Sequence, residues 1–479
     1  MQTDRRTLLA LGGGALGASA LALAGCGRGG GGGGQTIRVA IGAQDTTINC
    51  ATGGLLIREL KLLEKYLPKD GRYAGAKYDI QWQDFTSGAP LTNEMVAGKL
   101  DFGAMADFPG VFNGAAFRKA GRRSVFLNVL SGSLTGSGNG VVVPIGSKVQ
   151  SLEELKGKTI STPFASTSHG MLLRAIRGLG WDPETDVVIS TQAPEVAGAA
   201  LQAGTVDAHA DFVPFAELFP YRGFARKIFD GSQAKTPTFH GSLVDAAYAE
   251  KHPEIVVAYQ RAALEAHRLM TAEPEKHSEL VAKVTGIEAE VVYLFHGPLG
   301  LQTRDFSWKP EYRQAVATAA STLQTLKKQK IDITPDNFID DRFIRQAFQQ
   351  AGLDYEAQLK NRDRTPLQAK DALTGAPIVQ TERVAQVWVR GEPQVRAYAT
   401  PENAFKDLAA LESAGKKARV VYAQDRNSGI KLLAAQAWFA VSPDNTVDAF
   451  LLPAQAKAFA ARHGGRVLDF AGVRAALKV

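Results

Sequence analysis

Apolar positions along this chain switch repeatedly between two periods. Residues 36–41, Thr-Ile-Arg-Val-Ala-Ile, alternate with period two and predict a strand ending in Gly42-Ala43-Gln44-Asp45-Thr46. Leu55, Leu56, Leu60, Leu63 and Leu67 share one helical face and predict a helix over 55–67. A strand over 78–83 follows. Residues 84–109 then read DFTSGAPLTNEMVAGKLDFGAMADFP. Leu91, Met95 and Val96 give a short helix that Ala97-Gly98 ends, because glycine adopts the left-handed C-terminal conformation without strain. A buried strand over 100–106 delivers Asp107-Phe108-Pro109. The same grammar returns downstream: Gln192-Ala193-Pro194-Glu195 opens a helix, Ala203-Gly204 closes it, and 206–210 leads to Asp211-Phe212. The echo predicts two similar α/β lobes, although two unrelated helix–strand connections would read alike. Ligands sit beyond the carboxyl ends of strands in open α/β sheets, which would bring both Asp-Phe turns to one cleft.

Between the two units the chain carries a strand over 124–130, a Gly- and Ser-rich crossover over 131–140, and strands over 141–143 and 158–162. The last leads into Pro163-Phe164-Ala165-Ser166-Thr167-Ser168-His169-Gly170 and a helix over 171–178. Helix N-termini expose free N–H groups and attract anions. One hydroxyl suffices to cap a helix; three together with His169 exceed that need. Thr86-Ser87-Gly88 holds the matching place in the first unit. Asp45, Asp107 and Asp211 stand at strand ends. Facing the cleft, they would repel a bare anion and suit a ligand carrying an amine; otherwise they cap helices or bind loop amides. His240 is a further candidate cleft residue.

Composition is globular: 45% hydrophobic, 22% charged, with a net charge of +7 over 479 residues. That length predicts about three domains. The densest basic run, Lys327-Lys328-Gln329-Lys330, is short and lacks interleaved aromatics, so a nucleic-acid partner is not expected. No Gly-x-Ser-x-Gly, His-Glu-x-x-His or Cys-x-x-Cys motif occurs, so the chain reads as a binding protein rather than an enzyme, with no cofactor and no metal.

At the N-terminus Arg5-Arg6 precedes an apolar, small-residue run from Leu8 to Ala24, too short for a good membrane span. The paired arginines resemble a twin-arginine export signal, and Leu23-Ala24-Gly25-Cys26 resembles the bacterial lipobox. That resemblance implies a diacylated Cys26 at the mature terminus, so 1–26 is read as a lipoprotein signal peptide. Gly29 to Gly34 is an unbroken glycine run, a flexible tether over 27–35. Cys50, the other cysteine, is expected as a packed residue.

Several pieces in order resemble the periplasmic substrate-binding proteins of the nitrate/sulfonate/taurine class of ABC importers. They are Ser87-Gly88-Ala89-Pro90-Leu91, Ala97-Gly98-Lys99-Leu100-Asp101-Phe102-Gly103, Leu152-Glu153-Glu154-Leu155-Lys156-Gly157-Lys158, Ala203-Gly204-Thr205-Val206-Asp207-Ala208 and Lys251-His252-Pro253-Glu254. The resemblance implies an α/β, bilobal Venus-flytrap fold, with lobe 1 over 36–133 and 240–355 and lobe 2 over 134–239. It implies a small-molecule ligand between the lobes, an inner-membrane ABC permease as partner, and an exported protein held on the periplasmic or cell-surface side through Cys26. The expected ligand-binding residues are Gln44, Asp45, Thr46, Ser87, Gly88, Asp107, Phe108, Ser166, Thr167, Ser168, His169, Gln192 and Asp211.

Residues 356–375 are polar and read as a linker. Beyond them, 376–479 carry their own strand and helix pattern, a small α+β domain. Its stretches Val420-Val421-Tyr422-Ala423-Gln424-Asp425, Ala435-Gln436-Ala437-Trp438-Phe439-Ala440-Val441 and 458–468 resemble the NosL family of copper-handling lipoproteins. The family's Cys-Gly-Met element is missing, and no Cys follows Cys50 nor Met Met270. The alternative function is therefore an accessory lipoprotein for copper handling or nitrous-oxide-reductase assembly, with the soft ligands that copper(I) prefers absent from the tail.

Overall fold

The computed structural model describes residues 35–478 apart from 49, 328–329 and 363–365, and leaves the side chain of Thr46 undescribed. The leader, Cys26 and the glycine run lie outside the described residues. Five strands open the chain: β1 Thr36–Ala43, β2 Lys77–Asp84, β3 Phe102–Ala106, β4 Ser124–Phe126 and β5 Ser131–Ser133. Five more follow: β6 Gly140–Pro144, β7 Thr159–Thr162, β8 Val188–Thr191, β9 Ala208–Asp211 and β10 Ala225–Asp230. β11, Thr238–Asp245, then returns to the first sheet.

The two sheets are built to one plan. The first has the order β2-β1-β3-β11-β4, with β5 also on β11; the second has the order β8-β7-β9-β6-β10. In each, three parallel strands meet an antiparallel pair, since β1 runs parallel to β2 and β3 and β11 runs against β3 and β4. Likewise β7 runs parallel to β8 and β9, and β6 runs against β9 and β10. The architecture is α/β and bilobal. The helical punctuation falls where glycine requires it: Gly98 and Gly204, at φ 73° and 66°, follow the helices Gly88–Val96 and Pro194–Gln202.

The crossover between lobes is a built structure rather than slack chain. The Ser133 hydroxyl accepts from the amides of Thr135, Gly136 and Ser137. Gly136 has φ 98°, and a Cβ there would overlap the Thr236 carbonyl of the return crossover. The helix expected over 55–67 is broken into Leu55–Glu59 and Leu62–Tyr66 by Lys61, at φ 51°. The break lets Leu62 and Leu63 bury as the second piece packs on the long helix Pro253–Ala272.

Residues 366–478 form a separate layered unit holding β12 Ala385–Val389, β13 Arg396–Tyr398, β14 Ala418–Gln424, β15 Lys431–Leu433, β16 Trp438–Val441, β17 Val447–Phe450 and β18 Arg466–Leu468. Its sheets have the orders β13-β12-β14-β15 and β17-β16-β18. Each holds a hairpin, a helix (Pro401–Ser413 or Pro453–His463) and a third strand beside the first, and β15 extends the larger sheet on β14. A last helix, Phe470–Leu477, follows β18, and Asp469 caps it by accepting from the Gly472 amide at 2.7 Å. The stretch expected as a linker packs on both sides. Lys309 Nζ donates to the Gln358 carbonyl at 2.8 Å, while Asp371 accepts from the Ala399 amide and the Asn403 side chain.

The C-terminal unit shares an apolar core with lobe 1. Tyr293 packs between Trp388 and Tyr422, with ring centroids at 5.4 and 5.7 Å, and its hydroxyl accepts from Gln386. Arg419 pairs with Glu290 at 2.6 Å and with Glu279. Gln436 reaches the other lobe, donating to the Pro220 carbonyl at 3.3 Å.

Candidate functional site

The carboxyl ends of β1, β2 and β3 face those of β7, β8 and β9 across a closed cleft. Ser87 is extended at φ −153°, precedes the helix Gly88–Val96, and makes no side-chain capping bond. Gly88 is required, since a Cβ would overlap Pro109 in the neighbouring helix Asp107–Lys119. Two helix N-termini thereby come together in lobe 1. In lobe 2, Ser166 caps the helix Thr167–Gly178, its hydroxyl accepting from the His169 amide at 3.1 Å and lying 2.8 Å from the Ser168 hydroxyl. Ala165, just before it, holds φ 56°, a conformation that costs a side-chain-bearing residue energy and is stabilised here by the surrounding packing. Partial positive charge from these helix ends converges on one point.

At that point lies a cavity of about 10 Å³, room for about one water. Gln44, Ser87, Gly88, Ser166 and Thr167 line it, as expected from the sequence. Ala89, Ala106, Pro109, Phe164, Ala165 and Phe212 complete the wall and were not anticipated. The Gln44 side-chain oxygen is buried and has no hydrogen-bond partner among the described residues. A ligand larger than water enters only when the lobes part.

The other expected residues stand elsewhere. Asp45 is buried below the wall, where a Cβ on Gly54 would overlap its carboxylate. Burial pushes its carboxyl up to about 8, against the pull of the Leu55 amide. The Thr46 side chain lies outside the described residues. Asp211 is wholly buried: its carboxylate takes His209 Nε2 at 2.7 Å and the Phe212 amide at 2.8 Å, and His209 Nδ1 meets Ser161 at 2.8 Å. Asp107 likewise accepts from the Phe108 amide at 2.6 Å. The repeated Asp-Phe is thus a turn device in which the carboxylate holds the next amide; neither carboxylate lines the cavity. Phe108 is core, packed over Gly170. Ser168 is buried behind Ser166, and Gln192 hydrogen-bonds through its amide to Thr162 at 3.1 Å, away from the wall. His169 accepts the Ala165 amide on Nδ1 and stacks near Phe164; burial lowers it to about 4, so it is neutral at pH 7. His240 lies on β11 opposite Ala106, and burial lowers it to about 3.

The lobes are joined by Asp107. Thr167 Oγ1 donates to it at 3.3 Å, and the Arg174 guanidinium of lobe 2 favours its charged form. Burial is the larger effect and raises its carboxyl to about 6. Arg174 was not expected from the sequence, although its spacing of seven from Thr167 puts both on one helical face.

A family model described as NMT1/THI5 like matches residues 88–277. The chain is 30% identical over 249 residues to an aliphatic sulfonates-binding protein of Escherichia coli K12, covering 51% of this chain and 73% of that protein. It is 27% identical over 211 residues to the taurine-binding periplasmic protein of the same organism, covering 43% and 62%. Its fold is similar to that of the ligand-binding component of an ABC-type import system from Staphylococcus aureus, with a TM-score of 0.51 at 14% identity, covering 65% of this chain and 99% of that one.

Proposed function

The chain belongs to the NMT1/THI5-like family, and from that premise we propose that it is a lipid-anchored substrate-binding protein of an ABC importer. It captures a small sulfonate, taurine-type or related nitrogenous ligand between its lobes and hands it to an inner-membrane permease. One observation carries this reading: Ser87-Gly88 of lobe 1 and Ser166-Thr167 of lobe 2, each at a helix N-terminus, line the same cavity. Free N–H groups and hydroxyls at two opposed helix ends suit an oxyanion, and closure places donors on both sides of it. The unpaired Gln44 oxygen suits a donor on the ligand, such as an amine. The sulfonate- and taurine-binding names of the relatives support the same class.

Thermal melts of the full chain with taurine, ethanesulfonate and nitrate test it. A bound ligand stabilises by about 2.7 kcal/mol at a hundredfold excess over Kd; if none of the three raises the Tm, the reading fails. Anchoring is tested separately: Cys26→Ser is expected to leave a folded protein that no longer pellets with membranes, and unchanged fractionation refutes it. For 376–479 we propose a NosL-like unit without its copper chemistry, because residues beyond Met270 offer neither Cys nor Met. Tight copper(I) binding by the full chain, retained after His463→Ala and lost on deleting this unit, overturns that proposal.

A further inference from the structure

Roomier openings than the cleft lie elsewhere on this protein. A chamber of about 760 Å³ opens at the seam between lobe 2 and the C-terminal unit. Small-molecule sites commonly measure about 300–1,000 Å³ and favour domain interfaces. Lobe 2 contributes Pro220 and Tyr221, at the end of the helix Phe215–Tyr221. The C-terminal unit contributes Val421, Leu433 and Phe470 to the floor.

The gap has a structural cause. Arg419 draws the C-terminal unit toward Glu279 and Glu290 on one side, and Gln436 touches the Pro220 carbonyl on another. β14 shows what is left between them: Tyr422 to Gln424 are buried, whereas Ala418 to Val421 are half exposed. Val421, in the middle of a sheet and only partly buried, lines the chamber beside Leu408 and Phe470 and is apolar surface that an occupant would cover.

The charges at the mouth are mostly matched. Lys416 pairs with Glu392 at 2.9 Å, Glu412 with Arg474 at 2.5 Å, and Arg419 with its two glutamates. Lys417 also lines the chamber and has no ion pair among the described residues. An apolar floor with one uncompensated ammonium at its rim fits an apolar body carrying a single anionic head.

We propose that this chamber is a second small-molecule site, separate from the cleft, which takes an amphipathic carboxylate. The alkyl chain covers Val421, Leu433 and Phe470, and the carboxylate meets Lys417. An occupant touches lobe 2 through Tyr221 and the C-terminal unit through Phe470, so it ties the two together. The proposal does not depend on what the cleft binds.

Calorimetric titration of the full chain with decanoate tests it. One equivalent is expected to bind. Ala435→Trp, at an exposed lining position, fills the mouth and weakens binding at least tenfold; Lys417→Glu does the same by reversing the rim charge. Ser166→Ala/Thr167→Ala, neither of whose positions lines the chamber, leaves decanoate affinity unchanged. Absence of binding to the parent chain, or binding indifferent to Ala435→Trp, overturns the site. Binding lost with Ala435→Trp but indifferent to Lys417→Glu overturns the anionic head. Loss in the cleft variant moves decanoate to the cleft and overturns the proposal.

Discussion

Lobe 1 and lobe 2 present helix ends to one cavity but commit their hydroxyls differently. In lobe 2, Ser166 already caps its helix and shares a hydrogen bond with Ser168, which lies 3.4 Å from Thr162. Thr167 donates across the cleft to Asp107. In lobe 1, Ser87 makes no capping bond, and Gly88 brings bare backbone to the wall. The lobe 2 rim is therefore preorganised, whereas the lobe 1 rim keeps its donors for an incoming group. Sheet order is common to both lobes; what differs is whether the side chains at the strand ends are already satisfied. The Asp-Phe turns differ in the same manner: Asp211 is locked within lobe 2 by His209, and Asp107 is held by the other lobe.

The largest expected effect comes from breaking the locked turn. Asp211→Ala leaves His209 without its buried partner and is expected to cost about 1–3 kcal/mol, the range for leaving a buried polar group unsatisfied. Chemical denaturation measures it, and a cost below 1 kcal/mol would show that the His209 contact adds little. Asp107→Ala is expected to cost less in stability and to change the closed population instead, read as an increase in radius of gyration by small-angle scattering.

Next comes the cradle. Ser166→Ala/Thr167→Ala should weaken ligand binding at least tenfold and lower the Tm of the unliganded protein, because Ser166 caps a helix, a role worth about 1 kcal/mol. Ser87→Ala should weaken binding about fivefold, from one hydrogen bond of about 1 kcal/mol, while the unliganded Tm stays put. Equal Tm losses in the two variants would erase the contrast between the lobes.

The last contrast is in pH dependence, which reads the burial of two carboxylates rather than a lost contact. Asp45 and Asp107 are raised from 3.8 to about 8 and about 6. The folded state therefore binds more protons than the unfolded state between those values, so stability falls as pH rises, through about 4–6 for Asp107 and about 4–8 for Asp45. The Tm is expected to decline from pH 5 to 8.5. Asp45→Asn should flatten the upper part of that decline and Asp107→Asn the lower; a Tm rising over this range contradicts both assignments.

Much of this was legible in the residues. Gly98 and Gly204 end helices because only glycine tolerates positive φ cheaply, and that punctuation by itself marks out the two α/β units. Local chemistry also marked Ser87-Gly88 and Ser166-Thr167, because helix starts need donors and acceptors from nearby side chains. Which way a carboxylate turns was not legible. Asp107 and Asp211 sit in the same short motif, yet one is answered by a residue 60 positions away and the other by His209 on its own strand. Phe164 and Phe212 stand in the cavity wall, and Arg174 acts on Asp107 of the other lobe, through tertiary placement that spacing along the chain does not give. The C-terminal unit docks by pairing Arg419 with Glu279 and Glu290, far away in sequence. Backbone conformation is set largely by neighbours along the chain, so sequence alone determined most of the strands, the glycine-marked helix ends and the hydroxyl cradle, though not the break at Lys61. Desolvation and charge pairing are set by whatever folding brings alongside, so only the tertiary structure decided which polar groups face the ligand and which hold the lobes.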